Sequence, residues 1–135
     1  RYPLGVQGIC PNGWHLPNDT EWGQLIEYVS SQAAYSCYNS SPHIAKALAS
    51  TSGWNNDSEE CSMGNFPENN NATGFSVLPS GFYNGNYRAF GDYTLFWSAH
   101  KSYGEYIACY IFRWADAYKI NNKMSNGYPV RCLKD

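Results

Sequence analysis

The sequence predicts an α+β fold in which two helices are followed by a mostly antiparallel, twisted sheet stabilised by disulfides. Apolar residues have helical spacing in the N-terminal part and alternate as in strands from Gly74 onward, and five cysteines are present. The chain has 135 residues, close to the length of one ordinary domain, and contains neither an internal repeat nor a linker. We therefore expect residues 1–135 to form a single domain.

The composition excludes some classes of partner and indicates a compartment. The formal net charge is -2 and no basic patch stands out, so nucleic acid is not an expected partner. No run reaches the ~18 apolar residues of a membrane span, so we expect no membrane-spanning segment. The chain is poor in Lys, rich in Tyr and Asn, and has cysteines without a Cys-x-x-Cys pair, which disfavours zinc and favours an oxidising setting. These features predict an extracellular or cell-surface protein.

The first predicted helix runs from Asp19 to about Ser31. Asn18 is a good N-cap, and Glu21 follows three residues later, as in a capping box. Apolar residues then recur at helical spacing and give the helix one buried face. These residues are Trp22, Leu25, Ile26 and Val29.

The second predicted helix is shorter and begins after Ser41. Pro42 suits its first turn, and the helix ends before Gly53. Its buried stripe consists of Ile44, Ala45 and Leu48. Residues 53–73 then show no useful period and are predicted to form a long polar loop, which in a compact domain is usually functional or tied down.

Six β-rich runs separated by Gly, Asn and Asp predict the strands of the sheet. The runs are Phe75–Leu78, Gly81–Tyr83, Thr94–Ala99, Tyr106–Trp114, Ala117–Ile120 and Tyr128–Leu133. In the fourth run, Tyr110 and Phe112 share one face, while Ile107 and Ile111 share the other. A strand that is apolar on both faces is typical of the centre of a sheet, so we expect this strand to be central and covered on both sides.

A series of short motifs occurs in order along nearly the whole chain. The motifs are Cys10–Pro17, Glu21–Trp22 with Leu25, Ala45–Ala49, Gly53–Asn55, Ala72–Ser76, Leu78–Gly81, Phe96–Ala99 and Val130–Asp135. Together they resemble the Fibrobacter succinogenes major paralogous domain family, which is similar to the C-type-lectin-like and formylglycine-generating-enzyme-like fold group. The resemblance implies a C-type-lectin-like arrangement and a secreted or lipid-anchored surface protein. It implies no established activity.

The resemblance also concerns the N-terminus, because domains of this family usually begin earlier. Only Arg1–Gly8 precedes the first motif here. If the segment that is lacking normally supplies a strand, the sheet has an open edge beside the N-terminus. Open edges recruit strands from other chains, so we expect either that the chain is truncated or that like subunits complete one another by strand addition.

The lectin-like resemblance brings the chain ends together and therefore implies a disulfide between Cys10 and Cys132. We pair Cys37 with Cys61, which ties the polar loop to the segment after the first helix. Cys109 is left over and is expected to be a buried free thiol, with an intermolecular bridge or a reactive thiol as alternatives. Five cysteines also permit other pairings, which the sequence alone leaves open.

The sequence favours a protein without catalytic residues. The three histidines are scattered, no Gly-x-Ser-x-Gly elbow is present, and His15 is expected to satisfy backbone groups in a turn. Glu59 and Glu60 are adjacent in a loop and are expected to be solvated rather than an acid/base pair. An oxidase of the formylglycine-generating type is the least favoured alternative, because Cys109 stands alone on a strand face.

No cofactor is expected, although calcium is the sharper alternative for the polar loop. Ca²⁺ prefers oxygen ligands from loops. The candidate ligands are Asn55, Asn56, Asp57, Glu59, Glu60 and Glu68. The run Trp54–Asp57 resembles the Trp-Asn-Asp motif of lectins with one inserted Asn, and Pro67–Asn69 loosely resembles Glu-Pro-Asn. The competing interpretation is a polar surface loop held by a disulfide.

Two further groups of residues are candidates for glycan chemistry. Aromatic rings in or beside loops could bind a saccharide without metal, or each could cap the core. These rings belong to Trp54, Tyr83, Tyr87, Tyr93 and Tyr103. Glycosylation sequons begin at Asn39, Asn56 and Asn71, while the sequon at Asn18 is expected to be occupied as a helix cap.

Together these patterns predict a secreted, non-catalytic cell-surface domain whose role is contact. We expect adhesion, or self-assembly with like subunits into an extracellular structure such as a filament. The alternative is a glycan-binding lectin, with or without calcium, whose partner is a surface polysaccharide.

Overall fold

The computed structural model describes residues 7–37, 43–101, 103–104 and 106–135. Its helices are α1 (Asp19–Ser31) and the single turn α2 (Ala45–Leu48), with 3-10 turns at Ala33–Tyr35 and Pro67–Asn69. Its strands are β1 (Trp14–His15), β2 (Phe82–Tyr83), β3 (Tyr87–Arg88), β4 (Tyr93–Lys101), β5 (Tyr106–Arg113), β6 (Asp116–Lys123) and β7 (Leu133–Lys134). The two helices, the antiparallel sheets and two disulfides confirm the α+β class.

Helix α1 has the predicted limits and the predicted cap. The side chain of Asn18 accepts a hydrogen bond from the Glu21 amide at 3.0 Å, and the Glu21 carboxylate accepts one from the Asn18 amide at 3.0 Å. This capping box satisfies two of the free amides at the start of the helix. The buried face carries Trp22, which stacks on Phe96 and Tyr110 with ring centroids 5.5 and 5.2 Å away.

Helix α2 is shorter than expected but buries the predicted stripe. Ile44, Ala45 and Leu48 are all buried. After Leu48 the chain is extended and joins Val77 through a parallel bridge at Ala49. The predicted start at Ser41 and Pro42 lies outside the described residues.

The central three-stranded sheet has the order β4–β5–β6 and is antiparallel throughout. Strand β5 is central, as its sequence predicts. The register between β4 and β5 shifts between Trp97 and Lys101, while β5 and β6 pair along their full lengths. Strands β5 and β6 are joined by a two-residue turn, Trp114–Ala115.

Two predicted strands are wrong, and two short strands were missed. Phe75–Leu78 makes only the isolated bridge at Val77, and Tyr128–Leu133 is extended chain of which only Leu133 belongs to a strand. Prolines at 79 and 129 cannot donate to a ladder, which limits regular pairing in both segments. The missed strands are β1, which pairs with β7, and β3, which pairs with β2.

The structure contains both of the expected disulfides. Cys10–Cys132 joins Cα atoms 5.8 Å apart and lies beside the β1–β7 pair, so the two ends of the described chain are held together twice. Cys37–Cys61 joins Cα atoms 5.7 Å apart. Such bonds persist in oxidising compartments, which places the protein outside the cytoplasm. No described helix is long and apolar enough to cross a membrane.

His15 does not have the role predicted for it. Its side chain is buried at 3% exposure, and both ring nitrogens contact carboxylates rather than backbone groups. Nδ1 lies 2.6 Å from Asp135 Oδ1, and Nε2 lies 2.8 Å from Glu21 Oε1. The burial lowers the pKa of His15, but the two carboxylates outweigh that effect and raise it above its ordinary value.

Candidate functional site

A cleft of about 210 Å³ lies between the polar loop, the start of β4 and the β5–β6 turn. Three segments that are distant in sequence therefore form its walls. The lining residues are Trp54, Asn55, Asn56, Asp57, Ser62, Met63, Gly64, Gly91, Asp92, Tyr93, Arg113 and Trp114. We call this the Arg113 cleft.

The loop wall of the Arg113 cleft is fixed by a disulfide and by hydrogen bonds from Lys46. Cys61 is joined to Cys37, and the Lys46 ammonium donates hydrogen bonds to the carbonyls of Ser62, at 3.2 Å, and of Asn65. Burial lowers the pKa of Lys46, although the carboxylate of Glu68 acts in the opposite direction. Cys61, Ser62 and Met63 are buried, so the expectation of a surface loop is wrong for this stretch.

Two glycines allow the walls of the cleft to approach each other closely. The Asn55 amide donates to the Gly91 carbonyl at 2.8 Å, and the Asp57 amide donates to the Gly64 carbonyl at 3.2 Å. A Cβ atom at Gly64 would lie 2.1 Å from the Asn55 carbonyl oxygen. One at Gly91, whose φ is +87°, would lie 2.7 Å from the Asn55 side chain.

Two carboxylates of the cleft are oriented by hydrogen bonds. Asp57 accepts from the Ser62 hydroxyl at 2.6 Å and from the Glu59 amide at 2.9 Å, while Asp92 accepts from the Asn55 side-chain amide at 2.9 Å. The two donors to Asp57 favour its ionised form and hold its pKa below the usual value, the Ser62 hydroxyl having the larger effect. Asp57 therefore stays charged in the cleft at neutral pH.

The opposite wall of the cleft contains Arg113, whose guanidinium lies near two aromatic rings. The Arg113 guanidinium lies 3.8 Å from the Trp114 ring centroid and 5.3 Å from that of Tyr93. Trp114 is 55% exposed and has the unusual φ of +53°. Its carbonyl accepts a hydrogen bond from the Met63 amide at 2.9 Å, which fixes the turn against the loop wall.

A known protein family matches nearly the whole chain. The Fibrobacter succinogenes major domain matches residues 2–134. The chain belongs to this family. Comparison with curated proteins and with solved structures finds no match.

In this Fibrobacter succinogenes major domain, the cleft brings together part of the predicted calcium set. Asn55, Asn56 and Asp57 line the Arg113 cleft. Glu59 and Glu60 are exposed, as expected, and line an adjoining recess beside His43, which shares Ser62 and Trp114 with the cleft. Glu68 lies in the 3-10 turn at Pro67–Asn69. In the part of the chain that the structure describes, no three His, Cys, Asp or Glu side chains are grouped so that they could hold a metal ion.

The predicted aromatic set is also divided in this family member. Trp54 is 7% exposed and donates its indole N–H to the Ser50 carbonyl at 3.1 Å, so its ring belongs to the core. Trp54 nevertheless lines the Arg113 cleft, as does Tyr93. Tyr83 and Tyr87 are exposed on the β2–β3 hairpin with ring centroids 5.2 Å apart.

The remaining predicted sites lie away from the cleft or outside the described residues. Tyr103 is exposed. Asn71 uses both atoms of its amide group on Ser76, at 2.6 and 2.9 Å, which disfavours its use as a glycan acceptor. Asn39 lies outside the described residues, as does the thiol of Cys109. Asn56 is exposed and lines the Arg113 cleft, so a glycan attached at its sequon would exclude a ligand from the cleft.

Among the lining residues of the Arg113 cleft that the sequence did not predict, three carry much of its chemistry. Asp92, Arg113 and Trp114 contribute one carboxylate, the guanidinium and the exposed ring. Arg113 and Trp114 end the predicted strand Tyr106–Trp114, and strand-like composition does not mark them as site residues. The only local sign of the turn is the break in alternation at 113–116, because the contacts with the polar loop are between residues far apart in sequence.

Chemically, the cleft offers hydrogen-bond donors and acceptors beside an exposed aromatic face. The guanidinium of Arg113 provides donors, Asp57 and Asp92 provide acceptors, and the Asn56 amide provides both. A ligand with many hydroxyl groups can satisfy both kinds of partner. Such an arrangement suits recognition of a polyhydroxylated molecule.

Proposed function

We propose that the protein is a non-catalytic extracellular domain that adheres to a surface polysaccharide through the Arg113 cleft. The supporting observation is the exposed Trp114 ring stacked on Arg113, beside the carboxylates of Asp57 and Asp92. The C–H face of a sugar ring packs on an aromatic face, while its hydroxyls bond to the charged groups around it.

The charges in the cleft favour holding a saccharide over cleaving it. Glycoside hydrolysis uses a carboxylic acid whose pKa is raised, so that it can donate a proton to the leaving group. The pKa of Asp57 is shifted in the opposite direction by the Ser62 hydroxyl and the Glu59 amide. An ionised carboxylate of this kind is a good hydrogen-bond acceptor and a poor general acid.

We propose that the site works without calcium. Both carboxylate oxygens of Asp57 already accept hydrogen bonds from the protein, and Oδ1 of Asp92 accepts one from Asn55. A calcium ion would have to compete with these donors. A calcium-dependent site remains the alternative, and treatment with a chelator separates the two.

The proposal includes a C-type-lectin-like arrangement of the fold. A C-type-lectin-like arrangement is supported by the joined chain ends, where Cys10–Cys132 and the β1–β7 pair lie together. It is also supported by the long loop that contributes one wall of the cleft. The two disulfides support an extracellular or cell-surface location for such a domain.

Binding to an array of purified polysaccharides tests the proposal. We expect the wild type to bind one class of polysaccharide with or without EDTA, and Trp114→Ala to lose that binding. Tyr87→Ala is the matched control, because Tyr87 is 85% exposed and lies outside the cleft. Equal loss in both variants, or no binding by the wild type, would contradict the proposal. Binding abolished by EDTA would support the calcium-dependent alternative.

A further inference from the structure

A second concave site lies where the chain ends are joined, between helix α1 and the β1–β7 pair. Its volume is about 300 Å³, which is at the small end of the range for ligand pockets. None of its lining residues lines the Arg113 cleft. Its walls are mostly apolar and are formed by Trp14, Pro17, Trp22, Leu25, Phe75 and Leu133. We call this the Arg131 pocket, after the cation that also lines it.

The Arg131 side chain brings a positive charge into these apolar surroundings. Its guanidinium lies 4.1 Å from the Phe75 ring centroid. Burial lowers the pKa of Arg131, and no described acidic group acts in the opposite direction. Across the residues that the structure describes, the guanidinium has neither a hydrogen-bond acceptor nor an ion-pair partner. A desolvated charge is costly without a partner, so it favours an anion that enters the pocket.

The other charged groups of the pocket leave it net positive. Glu21 lines the pocket, but its Oε1 lies 2.8 Å from His15 Nε2 and its Oε2 accepts from the Asn18 amide at 3.0 Å. Lys134 also lines the pocket and, within the described parts of the chain, forms no ion pair. The one carboxylate is therefore engaged elsewhere, while two cations line the same space as the apolar walls.

We propose that the Arg131 pocket binds a small organic acid that consists of one carboxylate and an apolar ring. The planar guanidinium pairs with both oxygens of a carboxylate, and the walls remove the ring from water. One desolvated guanidinium matches one negative charge, whereas a dianion would bring a second charge against apolar walls. The ligand would also cover Trp14 and Leu133, which are 39% and 41% exposed.

Calorimetric titration with a matched pair of probes tests the proposal. Phenylacetate and its neutral amide, phenylacetamide, share the ring and differ in the charged group. We expect the wild type to bind the carboxylate about 10- to 100-fold more tightly, as for a charge-assisted hydrogen bond. Acetate, which has the charge and lacks the ring, should bind far more weakly than phenylacetate. Equal affinity for the two phenyl probes, or binding of neither, would overturn the proposal.

Arg131→Met tests the cation, because it removes the charge and keeps most of the side-chain length. We expect this variant to bind phenylacetate no more tightly than phenylacetamide. It should melt at the same temperature as the wild type or higher, because it loses an unpaired desolvated charge. Arg88→Met is the matched control, since Arg88 is exposed on β3 and lies outside the pocket. A lower melting temperature of Arg131→Met with an unchanged affinity ratio would indicate a structural role and contradict the proposal.

Trp14→Ala tests the apolar wall independently of the charge. It should weaken the binding of both phenyl probes by a similar factor and leave their affinity ratio as in the wild type. Sedimentation tests a second copy of the chain as the occupant. Association of the wild type that blocks phenylacetate binding would overturn the proposal. Because the two sites share no lining residue, polysaccharide binding by the Arg113 cleft can fail or succeed independently.

Discussion

Trp114 combines a strained backbone with an exposed side chain. Its φ of +53° is uncommon for a bulky residue and typical of the first position in a type II′ hairpin turn, where glycine is preferred. Residues held in this region cost on the order of 1–3 kcal/mol, and they cluster at functional sites. A large aromatic residue at a position where glycine fits better indicates that the ring is retained for what it contacts.

This leads to a prediction that separates stability from function. Trp114→Gly should be more stable than Trp114→Ala by about 1 kcal/mol, because glycine relieves the left-handed backbone strain that alanine retains. Both variants should lose polysaccharide binding, because both lack the ring. Thermal unfolding measures the first effect and the array measures the second. If glycine gives no advantage over alanine, the strain does not reside at this residue.

The balance of charges in the Arg113 cleft predicts the kind of saccharide. Asp57 and Asp92 outnumber the single guanidinium of Arg113, so the cleft is net negative. An uncharged polysaccharide should therefore bind more tightly than one built from uronic acids. Asp92→Asn should reduce the difference in affinity between the uncharged and the acidic polysaccharide. High salt should also reduce this difference, because salt screens the repulsion between the cleft and the uronic acids. Tighter binding of the acidic polymer by the wild type would show that Arg113 dominates.

The buried imidazole of His15 predicts the sign of a pH effect on stability. Its pKa in the folded state is raised, because Glu21 and Asp135 together outweigh the effect of burial. The stabilisation is fully present below the unfolded pKa of about 6.5 and is lost as the pH rises through the folded value. We expect the free energy of unfolding to fall over that range, and the fall to disappear in His15→Asn. Urea titrations at a series of pH values provide the measurement.

At the scale of elements, local signals predicted α1 better than they predicted the strands. The capping box and the apolar spacing lie within the helix itself, so its limits could be read directly. The segments at Phe75–Leu78 and Tyr128–Leu133 have strand-like composition, but regular pairing depends on partners elsewhere in the chain. Prolines in or beside them left Val77 with one bridge and only Leu133 in a strand.

The candidate site was predicted in the same uneven way. Asn55, Asn56 and Asp57 could be selected because a long polar loop is itself a signal. The opposite wall could not, because Arg113 and Trp114 reach the loop only through the fold. The burial of Trp54 depends equally on its non-local neighbours. The sequence therefore allows one wall of the cleft to be predicted, but it does not show which distant segment forms the opposite wall.

At the scale of the whole molecule, the two disulfides should have different effects on binding. Cys37–Cys61 closes a 24-residue separation and anchors the loop wall, whereas Cys10–Cys132 spans 122 residues and joins the chain ends. Loop closure stabilises by about 3 and about 5 kcal/mol respectively. We expect Cys37→Ser/Cys61→Ser to weaken polysaccharide binding strongly and to lower the free energy of unfolding by the smaller of these two amounts.

The matched control is Cys10→Ser/Cys132→Ser. This variant should lose more stability, yet bind normally at temperatures where it is folded, because its bond lies away from the Arg113 cleft. Circular dichroism melts and array binding of both variants distinguish the two roles. Binding that follows stability alone would mean that the loop wall does not depend on its own disulfide.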